Sequence, residues 1–440
     1  MILRALICVV LAALPLWAAA QERVAVGALQ EMLEHAAPGA HLILARGRHD
    51  GPALLDRPLT LEGEAGAAII GNGQGSVITV TAPDVTIRGL AISGSGQDGA
   101  EIDSGIRLLK GASRALVEGN HLTGNLHGID IHGARDAVVR GNTVIGSDFH
   151  RVNDRGNGIY VWNAPGAVVI GNDIRLGRDG IFSNASRRNV FSDNIFRDLR
   201  FAIHFMYTND TEISGNISIG NTLGYALMFS DRITVRDNLS LGDRTHGFML
   251  NYANSADVTG NLVRGGTHEK CTFIYNAHKN LIAGNRFEGC EIGIHFTAGS
   301  ERNAITGNAF VGNRTQVKYV GTRDVEWSLD GRGNYWSDHP AFDLDGDSRA
   351  DGPFRPNDLM DHILWSQPAA KLLLGAPVVQ LLRWSQAAFP AVLPGGVVDS
   401  HPLMAPVNIP VPEALLPDEA RAVAQALTQR RDDADALASH

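Results

Sequence analysis

The stretch Asp193-Asn-Ile-Phe-Arg-Asp-Leu-Arg-Phe-Ala-Ile-His-Phe-Met-Tyr-Thr-Asn-Asp-Thr-Glu-Ile-Ser-Gly-Asn216 decides the fold. It is framed by an Asp-Asn and a Gly-Asn pair whose Asn residues stand 22 positions apart. Between them apolar residues alternate with period 2 and are interrupted by turn residues, leaving room for about three short strands. The same pair recurs along the chain, with its Asn at 120, 142, 172, 194, 216, 238, 261, 285, 308 and 334. One step of 30, from 142 to 172, contains an insertion around Asp148 to Arg155. A second motif runs in phase: Gly128-Ile-Asp-Ile, Gly158-Ile-Tyr-Val, Gly180-Ile-Phe-Ser, Ala202-Ile-His-Phe, Ala226-Leu-Met-Phe, Gly247-Phe-Met-Leu, Thr272-Phe-Ile-Tyr and Gly293-Ile-His-Phe. Repeats of this period mean a solenoid. With no helical periodicity between the strands, the expected fold is all-β, a right-handed parallel β-helix with one repeat per coil. Each Asn is expected inside a turn, bonded to its copies above and below.

Composition agrees. Gly is 49 of 440 residues and charged residues are only 19%, which excludes a long coiled coil. An apolar share of 44% is too high for a disordered chain. A net charge of -9 without a basic run disfavours binding to a phosphate backbone.

The chain divides as follows. Residues 1–20 read as a secretory signal peptide: Arg4, an apolar run from Ala5 to Trp17, then Ala18-Ala19-Ala20. The apolar run is short for a bilayer span. Residues 21–37 are an N-terminal cap, with a short helix over Val24 to Ala37. Residues 38–335 are the β-helix, and 336–362 an acidic loop and transition. Residues 363–404 are an apolar docking segment, partly helical and broken by Pro368, Pro377 and Pro390. It either caps the last coil or lies against a membrane protein or the interface. Residues 405–440 are a polar helix or a disordered tail. Cys271 and Cys290, 19 residues apart, suit a disulfide, with a soft-metal site as the alternative.

If position two of each second motif points outward, it forms one column: Asp130, Tyr160, Phe182, His204, Met228, Met249, Ile274 and His295. Met206 stands two residues from His204. Thioether and imidazole ligands suit Cu(I), so His204, Met206, Met228, Met249 and His295 are candidate copper ligands. The competing reading is a hydrophobic stripe covered by a loop or partner. Asp343, Asp345, Asp347 and Asp351, with Gly346 for the bend, are candidate calcium ligands or else a solvated acidic turn. A carbohydrate-active β-helix is a rival function. The acids Asp130, Asp179 and Glu212 show no obvious multi-coil cluster, and no paired-Asp, Gly-His-Gly pattern occurs. A non-catalytic docking scaffold is a third possibility.

Six longer strings resemble the NosD family. They are Arg151-Val-Asn-Asp-Arg-Gly-Asn-Gly, His204-Phe-Met-Tyr-Thr-Asn-Asp, Gly224-Tyr-Ala-Leu-Met-Phe-Ser, Phe273-Ile-Tyr-Asn-Ala-His-Lys-Asn, Gly293-Ile-His-Phe-Thr-Ala-Gly-Ser-Glu-Arg-Asn and Gly331-Arg-Gly-Asn-Tyr-Trp-Ser-Asp. The resemblance spans roughly Pro38 to Met404. It implies a periplasmic accessory protein without catalysis of its own, acting in maturation of nitrous oxide reductase. The partners it implies are an ABC transporter membrane subunit with its ATPase, a copper chaperone lipoprotein and the reductase. The implied cargo is copper, needed for a copper–sulfur cluster.

Overall fold

A computed structural model describes residues 21–265, 269–297, 299–320, 323–357, 376–388 and 396–412. The expected signal peptide and the residues from 413 onward lie outside this set.

The chain winds into a right-handed parallel β-helix of about 13 turns, as the repeat predicts. Two 13-stranded sheets and one 12-stranded sheet form its three faces, and each strand pairs with its counterpart one rung on. The first sheet runs from Gln21–Val24 to Ala304–Thr306, the second from Ala53–Leu55 to Thr315–Val320, the third from Gly47–Asp50 to Tyr335–Trp336. Strand alternation sends one column of each sheet inward. On the first face it is Val117, Val139, Val169, Phe191, Ile213 and Val235, all fully buried.

The Asn column is the fold's internal brace. All ten Asn residues are at most 2% exposed. The Asn216 Oδ1 accepts the backbone N–H and the side-chain amide of Asn194, each at 3.0 Å. Its own amide donates to Phe191 O at 2.8 Å, Ser214 O at 3.1 Å and Asn238 Oδ1 at 3.0 Å. Gly or Asp precedes each of these Asn residues, and at nine of the ten the backbone there is left-handed: φ is 64° at Gly215 and 56° at Asp193. The ladder ends at Asn334, whose N–H donates to the buried carboxylate of Asp399 at 2.7 Å, beside the indole N–H of Trp336.

Both ends are closed. At the start, Val24 ends a strand instead of opening the helix, because Gln21–Val24 completes the first sheet against Ala40–Leu44. The helix is shorter than expected, Leu29–His35, and buries Leu29 and Leu33 in the core while packing against Ala53–Leu55. At the far end, Gly396–Val398 pairs with Asp324–Glu326, and Trp327 and Trp336 cover the last rung. The last part of the expected docking segment is therefore a cap. Residues 405–412 run along the third face, where Ile409 and Val411 pack on Leu239, Leu241 and Leu262. Cys271 and Cys290 are joined as a disulfide, with Cα atoms 5.7 Å apart.

One interior position departs from the apolar rule. Ser218 and Ser240 replace the apolar inward residues of the third face, and both donate to Asp243, at 2.7 and 2.5 Å. Asp243 stands where a short second ladder would place an Asn: Leu199 N–H donates to Asn221 Oδ1 and Asn221 N–H donates to Asp243 Oδ1. Burial raises the Asp243 carboxyl to about 6, against the lowering effect of the Ser240 and Ser218 hydroxyls and the Asn221 amide.

Two stability outcomes follow. Asn216→Ala strands buried backbone groups on two rungs and should cost on the order of 3–5 kcal/mol in urea unfolding. A loss under about 1 kcal/mol would show that the ladder does not brace the coil. For Asp243 the sign comes from a folded value above the unfolded one. Its stabilising share is complete below the unfolded value of 3.8 and is lost as pH rises through about 6. Asp243→Asn should thus gain on wild type between pH 4 and 7.5, by up to roughly 3 kcal/mol. Parallel pH profiles for the two proteins would refute this account.

Candidate functional site

The second sheet carries the outward columns. Register places Arg107, Asp130, Tyr160, Phe182, His204, Ala226, Met249, Phe273, His295 and Lys318 in one line. A neighbouring line, two residues further along each strand, holds His132, Trp162, Asn184, Met206, Met228, Asn251 and Tyr275. Two members of the expected column are therefore misplaced. Met228 belongs to the second line, because Gly224 rather than Ala226 is the counterpart of Ala202. Ile274 is an inward core residue, and Phe273 takes the outward place.

Of the five candidate copper ligands, this geometry groups three. Met206 and Met228 are register partners on adjacent rungs, ~4.8 Å apart along the sheet. His204 is on the same strand as Met206, two residues before it. Met249 follows two rungs beyond His204, with Ala226 between them. His295 is four rungs from His204, roughly 19 Å away, so one ion cannot touch both.

His204 is held firmly. Its Nδ1 lies 3.1 Å from Asp179 Oδ2, and its ring stacks on Phe182 at 4.6 Å. Asp179 is fully buried and grips Arg200 through two bonds of 2.8 and 2.6 Å. Burial pushes the Asp179 carboxyl up, but the bonds from His204 and Arg200 outweigh it and hold it below the usual range. A carboxylate on Nδ1 leaves Nε2 as the free imidazole nitrogen, the arrangement that commonly orients a metal-binding His. His295 is kept neutral by burial and by the nearby charges of Lys318 and Lys270, which bring it down to about 4. Its Nδ1 is buried without a hydrogen-bond partner.

Asp130, Asp179 and Glu212 are each paired with an arginine. Asp130 and Asp179 lie on this face, each beside arginine, with Arg107 Nε 3.2 Å from Asp130. Glu212 is on the first sheet and pairs with Arg236. In the acidic loop, Asp343, Asp345 and Asp351 bring carboxylate oxygens within 4.8 Å of one another, and Asp347 stands outside that group. The Asp343 carboxylate accepts the amides of Gly346, Asp347 and Ser348, bonds that shape an acidic turn.

A feature beside the methionines is not anticipated from the apolar pattern. Immediately after the second line, Tyr207, Phe229 and Tyr252 sit in left-handed turns, with φ of 54°, 48° and 51°. Their rings stack at 5.4 and 5.2 Å and remain exposed. The same position is Asn163, Ala185 and Asn276 on other rungs, also with positive φ. That phase with Asn was the available signal. Further along the chain, the helix Pro377–Ala388 leaves Val378, Leu381 and Trp384 exposed. Among the described residues no helix is long and apolar enough to cross a membrane.

Comparison with known proteins bears on this face. The family model described as "Periplasmic copper-binding protein (NosD)" matches residues 147–341, the segment that contains all five candidate ligands. A "Probable ABC transporter binding protein NosD" from Stutzerimonas stutzeri is 41% identical over 82% of this chain and 86% of its own length. A protein of the same description from Pseudomonas aeruginosa is 42% identical, over 82% and 87%. Among solved structures, a Paenibacillus alginate lyase matches with 19% identity and a TM-score of 0.45, over 60% of this chain and 94% of the lyase. Likeness at that level carries no statement about chemistry.

The aromatic strip yields a direct test. A bulky residue in the left-handed region costs roughly 1–2 kcal/mol, which Asn largely avoids. Each ring stack returns about 0.5–1.5 kcal/mol. Replacing Tyr207, Phe229 and Tyr252 together by Asn should leave the thermal midpoint nearly unchanged. A drop of more than about 3 kcal/mol in unfolding free energy would make the rings a structural necessity instead of an exposed surface.

Proposed function

The chain belongs to the NosD family, and from that premise we propose that it is a non-catalytic periplasmic protein that receives and passes on copper during assembly of the copper–sulfur cluster of nitrous oxide reductase. The observation that carries the reading is the pairing of Met206 with Met228 beside His204, whose other nitrogen is held by buried Asp179. Two thioethers and an imidazole are soft donors that favour Cu(I) over hard cations. The methionines are partly exposed, so an incoming carrier can reach them and exchange ligands.

Copper here is cargo. A copper chaperone lipoprotein delivers it, Met249 extends the donor set toward His295, and the reductase takes it away. Tyr207, Phe229 and Tyr252 border the donors and suit the apolar centre of a transient protein contact. The exposed side of Pro377–Ala388 is the contact offered to the membrane subunit of the ABC transporter, whose ATPase drives release. The relatives' own description as transporter binding proteins supports that association. A second reading, a docking stripe that never holds copper, draws on the same aromatic strip.

Anaerobic Cu(I) titration against a chromogenic competitor separates them. Wild type should compete for the ion. Met206→Leu/Met228→Leu, a change of similar volume, should weaken binding at least tenfold with an unchanged circular dichroism spectrum. If the wild-type protein takes no Cu(I) from the competitor, the copper reading fails and the stripe is a docking surface alone.

A further inference from the structure

Two rungs of the coil are longer than the rest. From Ile78 to Ile106 the chain takes 28 residues and from Ile129 to Ile159 it takes 30, against 22 to 24 for the other rungs from Ile106 onward on this face. In a solenoid, added residues emerge as loops on one face, often the binding face. Here both additions emerge beside the same strands of the second sheet. Residues 97–102 and 148–155 wall a cleft of about 680 Å³ over them.

Both walls are pinned. Arg107 Nη1 donates to Glu101 O at 2.7 Å, and Arg155 donates to the carbonyls of Phe149 and Asp148. Inside, the polar groups converge without satisfying one another. Asn157 is 5% exposed and its Oδ1 has no hydrogen-bond partner. Arg178 Nε makes no hydrogen bond either, and stands 4.0 Å from an Asp179 already gripped by Arg200. His127 Nδ1 accepts the backbone N–H of Asn157 at 3.1 Å, so its proton sits on Nε2. Burial, then Arg178 and Arg107, lower His127 to about 4 and keep it a neutral donor. Tyr160 lines the same space, and Asp154 is the single carboxylate in the lining.

A buried amide oxygen without a donor and a set of unused N–H groups together specify the ligand. It must bring an anion for Arg178 and His127, and a hydroxyl for Asn157. We propose that this cleft is a second binding site, for a hydroxylated carboxylic acid of the sugar-acid class. The chemistry has two sources, a free sugar acid or the terminal unit of an acidic polysaccharide. The site shares no residue with the copper candidates and stands whether or not copper binds.

Isothermal titration of the mature chain tests it with D-galacturonate, D-galactose and tri-galacturonate as probes. Saturable binding of galacturonate, with galactose at least tenfold weaker, is expected. Arg178→Gln should weaken galacturonate at least tenfold with no change in thermal midpoint, and Met206→Leu/Met228→Leu should leave it unaffected. Asn157→Asp, which sets a carboxylate against the ligand, gives the same readout if Arg178→Gln does not fold. Tighter binding of the trimer assigns the site to a polysaccharide end, and tighter binding of the monomer to a free acid. The proposal is overturned if neither acid binds saturably, if galactose binds as well as galacturonate, or if both cleft variants bind as wild type.

Discussion

A buried amide ladder sets everything else in this molecule. Each Asn in the column accepts from the rung before it and donates to the rung after it, so no rung can slide without breaking bonds on both sides. A one-residue slip would also turn the buried apolar column outward. The Asn side chain adds a second lock to that one. Once register is locked, every outward residue is held in a straight line at the sheet spacing, and a functional surface can be written one residue per rung.

This constraint explains what could be read from the sequence. The ladder was visible because its chemistry admits few residues: an amide that both donates and accepts, preceded by a residue that tolerates positive φ. All ten expected positions occupy it. The column of outward residues was read less well, since it was anchored on small residues and two rungs offer a choice. In the rung with Gly224 and Ala226 either could be the anchor, and taking Ala226 moved Met228 one line over. In the next such rung Cys271 replaces the small residue, and the frame moved by one to put Ile274 outside. The strand over residues 21–24 was also hidden, because its partner Ala40–Leu44 lies beyond the helix and only tertiary pairing makes it a strand.

The cleft was beyond the reach of periodicity for a different reason. The insertion at 148–155 was legible as an extra eight residues in one repeat. Its meaning depends on a second loop at 97–102, in a region where the Asn pair does not recur. His127, Asn157 and Arg178 then come from three different rungs. The aromatic strip is hard to see in the sequence because exposed rings are rarer than buried ones, and an apolar residue after a strand ordinarily belongs to a core.

Rigid spacing also limits how the copper reading can work. A donor set on a flexible loop could fold around one ion, whereas donors on locked rungs cannot close their gaps. His204, Met206 and Met228 stand on two adjacent rungs. His295 is four rungs away, and bonds of ~2 Å rule out a single site spanning that length. Met249 stands two rungs from each His in the same line, with Met228 diagonal to it. The arrangement is thus a series of separate soft positions. Under the proposed copper reading, an ion crossing this face would leave one before reaching the next, which favours modest affinity at each and suits a conduit better than a store.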